Sequence, residues 1–326
     1  NNSLKGADDK MRGLGGDHIT YKGVKKGLVV LVDFKNKKFA DGHDLEYYKQ
    51  IINGKDFSDP TEGYVGSVRD YFLAQSNGQF ELDFDVVGPV TMSQNYGYYG
   101  RDVGSQKDEN VYKMIQEACD GIKDQVNLAD YDWDGDGEAD QVFFLYAGLG
   151  QASGGSASTV WPHESQLRYW PCGVLRYSTG KVNTYACANE LQPTTQGSSN
   201  YISAGIGTIC HEFSHCLGFA DMYDTAGQNG YGMTVFDVMD QGSYNGNGFV
   251  PCNYTAFERI YAGWVEPIEL ESPATVKDMK SVSDYGRPFI MYNFKNTNEY
   301  FLMENRQNTG WDKELYGCNG LLIVHV

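Results

Sequence analysis

The chain has 326 residues, 43 of them acidic and 26 basic, for a formal charge of −17. At roughly 150 residues per domain this allows about two domains, or one large one with an appendage, and 41% hydrophobic residues with 14% aromatics exclude a disordered chain. The acidity argues against nucleic acid, which needs a basic footprint, and no apolar run approaches the ~18 residues of a membrane span.

Residues 1–26 are polar and rich in Gly and Lys, and read as a flexible lead-in. The run 28–34 is continuously apolar, as expected of a buried strand. Ser67 stands as an N-cap before Val68, Tyr71, Phe72 and Gln75, a short helix that Asn77-Gly78 stops. Residues 80–87 alternate apolar and acidic side chains, a strand with one wet face. Val111, Met114, Ile115, Ala118 and Ile122 form the stripe of an amphipathic helix. A second core strand is predicted over 141–146, followed by a Gly/Ser/Ala loop to 159. Residues 206–217 read as a helix that Gly218 ends. Beyond Trp264 the pattern changes to short β-like runs at 289–294, 300–304 and 321–326, which places a soft boundary near 265. Domains seldom stop inside a strand, so the natural protein is expected to continue past Val326. The seven cysteines (119, 172, 187, 210, 216, 252, 318) form no CxxC pair. They read mostly as small buried hydrophobes, with room for one or two disulfides.

His211-Glu212-Phe213-Ser214-His215 falls inside the predicted helix. Residues four apart project from one helix face, so both imidazoles can share a metal. Glu212 then lies close enough to act on a water beside that metal without being a ligand. Gly218 can adopt the left-handed conformation, end the helix and swing the chain back. Asp221, six past His215, then supplies a third ligand that suits zinc. Met239 follows in a turn-rich stretch, Phe236-Asp237-Val238-Met239-Asp240-Gln241-Gly242-Ser243. Together these look like the extended zinc motif and Met-turn of metzincin peptidases, with Asp in place of the usual third His.

A second metal site is suggested by Asp132-x-Asp134-x-Asp136-Gly137-Glu138-x-Asp140, the first nine positions of an EF-hand calcium loop. Position 12 would be Phe143, so the usual glutamate is missing, and Asp130 could open another register. Carboxylates this crowded repel each other without a cation, which favours structural calcium held by Asp132, Asp134, Asp136, Glu138 and Asp140. Elsewhere, Gly148-Leu149-Gly150 does not complete a dinucleotide motif, and there is no Walker A string or GxSxG elbow. His163 could line the cleft or be structural. Cys210 and Cys216 read as helix packing residues.

The motif stretches HEFSHCLGFADMYD (211–224) and MTVFDVMDQGSYN (233–245) resemble the immune inhibitor A family of secreted bacterial metallopeptidases. The resemblance extends to GLVVLVDF (27–34), GSVRDYFLAQSNGQF (66–80), DWDGDGEADQVFFLYAG (132–148), VWPHE (160–164), EYFLMENRQ (299–307) and GLLIVHV (320–326). Ala220 departs from it, standing where such sequences often carry proline before the aspartate. The resemblance implies an α/β, metzincin-like catalytic domain over residues 27–265: a twisted mixed sheet, an active-site helix and a loop-rich lower part around a cleft. A β-rich C-terminal part, expected to continue past Val326, follows over 266–326.

The expected activity is secreted, zinc-dependent endopeptidase chemistry on polypeptide substrates. His211, His215 and Asp221 hold zinc, Glu212 is the general base, and Gly218 and Met239 support the site; the protein is expected to act as a monomer. Two alternatives remain at this point: a gluzincin-type peptidase with Glu258 as third ligand, or a silent, calcium-stabilised binding module. Glu258 explains neither Gly218 nor Met239, and the intact Glu212 weighs against a silent site. Cleavage preference is not legible.

Overall fold

A computed structural model describes residues 21–228, 230–315, 317 and 319–326. Most of the predicted lead-in therefore lies outside the described residues, as does Cys318. The first strand, β1 (Gly23–Asp33), begins inside the stretch read as lead-in, because Gly23 to Lys26 pair in parallel with the start of β2 (Phe80–Thr91). Hydrophobicity could not reveal this part of the strand, since Val24 remains exposed and Lys25 is only half-buried.

From residue 27 on, β1 is buried on both faces, as its uninterrupted apolar sequence requires. Helix α1 (Leu45–Asn53) starts at Asp44, whose carboxylate accepts the Tyr47 N–H at 2.9 Å. Helix α2 (Val68–Gln75) opens with a complete capping box, Ser67 and Asp70 each accepting the other's backbone N–H. Helix α3 (Val111–Ile122) buries the stripe of residues foreseen for it.

The central sheet gains β3 (Phe143–Leu149), β4 (His163–Gln166), β5 (Thr184–Pro193) and β6 (Tyr201–Ser203), in the order β2-β1-β3-β5-β4, with β6 also pairing β5. The β1, β2, β3 and β5 pairings are parallel; β4 and β6 run antiparallel to β5. Alternate residues of each strand face opposite layers. Val29, Leu31, Phe143, Leu145, Ala186 and Ala188 pack towards α1, α2 and α4 (Gly207–Cys216). Leu28, Val30, Phe144, Tyr146 and Cys187 pack towards α3. The fold is thus α/β with a mixed sheet between two helical layers.

Between Gly218 and residue 255 the described residues form only short 3-10 turns, Thr234–Phe236 and Gln241–Gly248. Helix α5 (Ala256–Tyr261) follows, then a second sheet of β7 (Ile268–Glu269), β8 (Phe289–Asn293), β9 (Asn296–Arg306) and β10 (Gly320–His325). Ile290, Tyr300 and Leu302 of this sheet share a small core with Ala256 and Ile260 of α5. The six described cysteines are free thiols, and among the described residues no helix is long and apolar enough to cross a membrane.

Candidate metal centre

Helix α4 lies between the sheet and the lower loops, and backbone contact sets its position. A Cβ on Gly207 would come within 1.8 Å of the Ser243 carbonyl oxygen, so only glycine lets the helix start this close to the segment after Met239. At the other end Gly218 has φ +86° and completes a double hydrogen-bonded cap: Gly218 N–H donates to His215 O at 2.9 Å and Phe219 N–H to Ser214 O at 3.1 Å. This reversal carries Asp221 back towards the imidazoles on the helix.

His211 Nε2 and His215 Nε2 stand 3.3 and 3.2 Å from the same oxygen, Asp221 Oδ1. That oxygen is buried and has no hydrogen-bond partner. Ligands held 2.0–2.1 Å from a tetrahedral zinc lie roughly 3.3 Å apart, which both imidazole–carboxylate separations match, and all three ligand atoms lie within 4.8 Å of one another. The second ring nitrogen of each imidazole is fixed by a carbonyl. His211 Nδ1 donates to Val238 O at 2.8 Å and His215 Nδ1 to Phe219 O at 2.7 Å. These bonds set the tautomer that leaves each Nε2 with its lone pair, able to ligate a metal. The carbonyls come from the turn before Met239 and from the loop just past Gly218. Met239 itself is fully buried, and its backbone carbonyl accepts the Met222 N–H at 2.9 Å, one residue past Asp221.

Two carboxylates near the imidazoles differ in acidity. Burial pushes Glu212 up to about 8, with His211 opposing and Asp221 and Glu164 adding to the rise. Burial also acts to raise Asp221, but the two imidazoles facing it outweigh this and hold the group well below the usual carboxylate range. Glu164 was not singled out from the sequence. It follows His163 on β4 and pairs with Ala186, whose face of the sheet looks towards α4. Burial takes its carboxyl up to about 7, with His215 opposing. His163 points to the opposite face, where its ring nitrogens meet Trp161 O at 2.6 Å and Tyr185 Oη at 2.9 Å. It is a structural imidazole outside the cleft, and strand alternation could have assigned both residues. Tyr223, with its hydroxyl against Asp221, also borders the site.

Glu258, the alternative third ligand, is fully buried on α5 and hydrogen-bonded to the Thr255 hydroxyl. It is not among the groups that converge on the metal position. At the acidic loop, Asp132, Asp134 and Asp136 bring oxygens within 4.8 Å of one another. Asp132 accepts the Gly135 and Gly137 N–H groups at 2.7 and 2.8 Å, and Asp136 that of Glu138 at 2.7 Å. Glu138 instead faces Arg168 at 3.6 Å, and Asp140 accepts the Trp133 N–H. The predicted set of five is therefore brought together only for its first three members.

Comparison with known proteins bears on this geometry. A family profile described as "Immune inhibitor A peptidase M6, catalytic domain" matches residues 22–265. The Pre-pro-metalloprotease PrtV of Vibrio cholerae serotype O1 (strain M66-2) is 26% identical over 327 aligned residues, covering 83% of this chain and 34% of the relative. Immune inhibitor A of Bacillus thuringiensis subsp. alesti is 24% identical over 295 residues, covering 76% of this chain and 41% of the relative. The chain thus spans well under half the length of these relatives.

Proposed function

Because the chain belongs to the immune inhibitor A family of M6 peptidases, we propose that it is a secreted zinc endopeptidase. His211, His215 and Asp221 would be the protein ligands and Glu212 the proton carrier. The observation that carries this reading is the convergence of two Nε2 atoms on an otherwise unpartnered Asp221 oxygen, with a buried glutamate on the same helix. Zinc, when bound, polarises a peptide carbonyl and acidifies water.

The chain's own residues supply the rest. Val238 O and Phe219 O hold the imidazoles in register. Glu212, buried on the same helix, would take a water proton and deliver it to the leaving amine. Strand β4 stands at an edge of the central sheet and contacts α4, a position from which backbone groups could pair with an extended polypeptide. The pre and pro segments in the name of PrtV support export from the cell. All these residues come from one chain, so a monomer suffices. Calcium bound by Asp132, Asp134 and Asp136 would stabilise the fold, with Glu138 and Asp140 kept on protein partners.

The test is removal and return of the metal. Digestion of an unstructured polypeptide should stop when a chelator strips zinc and resume when zinc alone is restored. Full hydrolysis by a verified zinc-free protein, or no hydrolysis by a protein carrying one zinc per chain, would refute the proposal. The second result would favour a silent binding module.

A further inference from the structure

The turn that carries Met239 is held by side chains from distant parts of the chain. Arg306, at the end of β9, is 1% exposed and uses its whole guanidinium. Its Nε and Nη2 form a fork on Asp312 at 2.6 and 2.7 Å, and Nη2 also meets the Asn253 carbonyl at 3.2 Å. Its Nη1 donates to the Phe236 carbonyl at 2.8 Å and to Glu304 at 3.1 Å. One residue further, Asp237 Oδ1 accepts the Met239 N–H at 2.8 Å. Asp237 Oδ2 and Glu258 Oε1 are buried with no N–H or O–H donor. Burial, and then the charge and contact of Glu258, push the Asp237 carboxyl well above the usual carboxylate range.

What these anchors hold is what the metal ligands need. Val238 lies between Asp237 and Met239, and its carbonyl orients His211. The Met239 carbonyl ties down Met222, next to Asp221. We propose that Arg306 and the buried Asp237–Glu258 carboxyl pair are positioning residues for the zinc ligands, fixing the Val238 carbonyl against His211 and the Met239 carbonyl beside Asp221. This rests on the zinc reading above and adds to it. Arg306 lies beyond the family match at 22–265, so the second sheet is a working part of the metal centre. It also gives Glu258 a role one step removed from the metal. Loss of an outer-shell partner typically weakens metal affinity 10–100-fold.

Zinc affinity, measured by competition with a chromophoric chelator, and melting of the zinc-free protein are compared for the full chain and for Glu258→Gln, Glu258→Leu and Arg306→Lys. Glutamine can still donate to Asp237 and should keep the parental affinity. Leucine leaves Asp237 alone. Lysine keeps the charge for Asp312 and Glu304 but cannot also hold two carbonyls. Both should lose roughly 10–100-fold in zinc affinity. Lower melting temperatures with unchanged zinc affinity would mean a merely structural role and overturn the inference. A Glu258→Gln variant that loses as much as Glu258→Leu would also overturn it, because that is how a direct ligand behaves. If Glu258→Leu does not fold, Arg306→Lys and Glu258→Gln decide on the same criteria. A parent chain that binds no zinc overturns the proposed function and this inference together; a parent that binds zinc beside unaffected variants overturns the inference alone.

Discussion

Glu212 and Asp221 are both carboxylates beside the same two imidazoles, yet their surroundings move their acidity in opposite directions. The difference follows from where the chain delivers them, one on the helix and one from beyond the Gly218 reversal. Another buried carboxylate, Asp108, lies outside this site and offers a separate test of the electrostatics. Its Oδ2 accepts the Trp161 N–H at 3.0 Å, but Oδ1 is buried without a partner. Burial raises its pKa from 3.8 to about 7. The folded state therefore holds the proton more tightly than the unfolded chain. The associated stability is present near pH 4 and is lost as pH rises through about 7. Asp108→Asn should remove that part of the pH dependence and raise the melting temperature at pH 8 by several degrees, with little change at pH 4. Parallel melting curves at both pH values would show that Asp108 has no such role.

Secondary-structure elements were legible where a local signal was complete. Ser67 with Asp70 marks the start of α2, and the spacing from Val111 to Ile122 gives α3. Helix α1 escaped because its core contact rests on Tyr48, Ile51 and Ile52 within a polar segment, too few residues for a clear period. The acidic loop shows the opposite limit. Its spacing placed Asp132, Asp134 and Asp136 together, but could not foresee that Arg168 and the Trp133 amide would engage Glu138 and Asp140. Trp133 also ties the loop to β1, its Nε1 donating to Lys26 O at 2.8 Å. A cation here should therefore stabilise the fold more than it serves catalysis. At 100 times its Kd, an ion that binds only the folded state adds about 2.7 kcal/mol. Calcium added to the zinc-loaded protein should raise the melting temperature by several degrees and leave kcat nearly constant. An unchanged melting temperature would remove calcium from the account.

At the scale of the molecule, the cluster of His211, His215 and Asp221 was legible because residues 211–221 form one continuous piece of chain. The hydrogen bonds that hold that motif in place were not legible, since they are tertiary. Val238 O reaches His211 across 27 residues, and Arg306 reaches Phe236 from 70 residues away. The central claim is the division of labour between two carboxylates, and zinc content measured together with peptidase rate on Glu212→Ala and Asp221→Ala tests it most directly. Glu212→Ala should keep its zinc and lose turnover by roughly 10²–10⁴-fold, the usual worth of general acid–base catalysis. Asp221→Ala should lose zinc, because two protein ligands remain of three. An Asp221→Ala protein that retains full zinc, or a Glu212→Ala protein that turns over normally, would contradict the account.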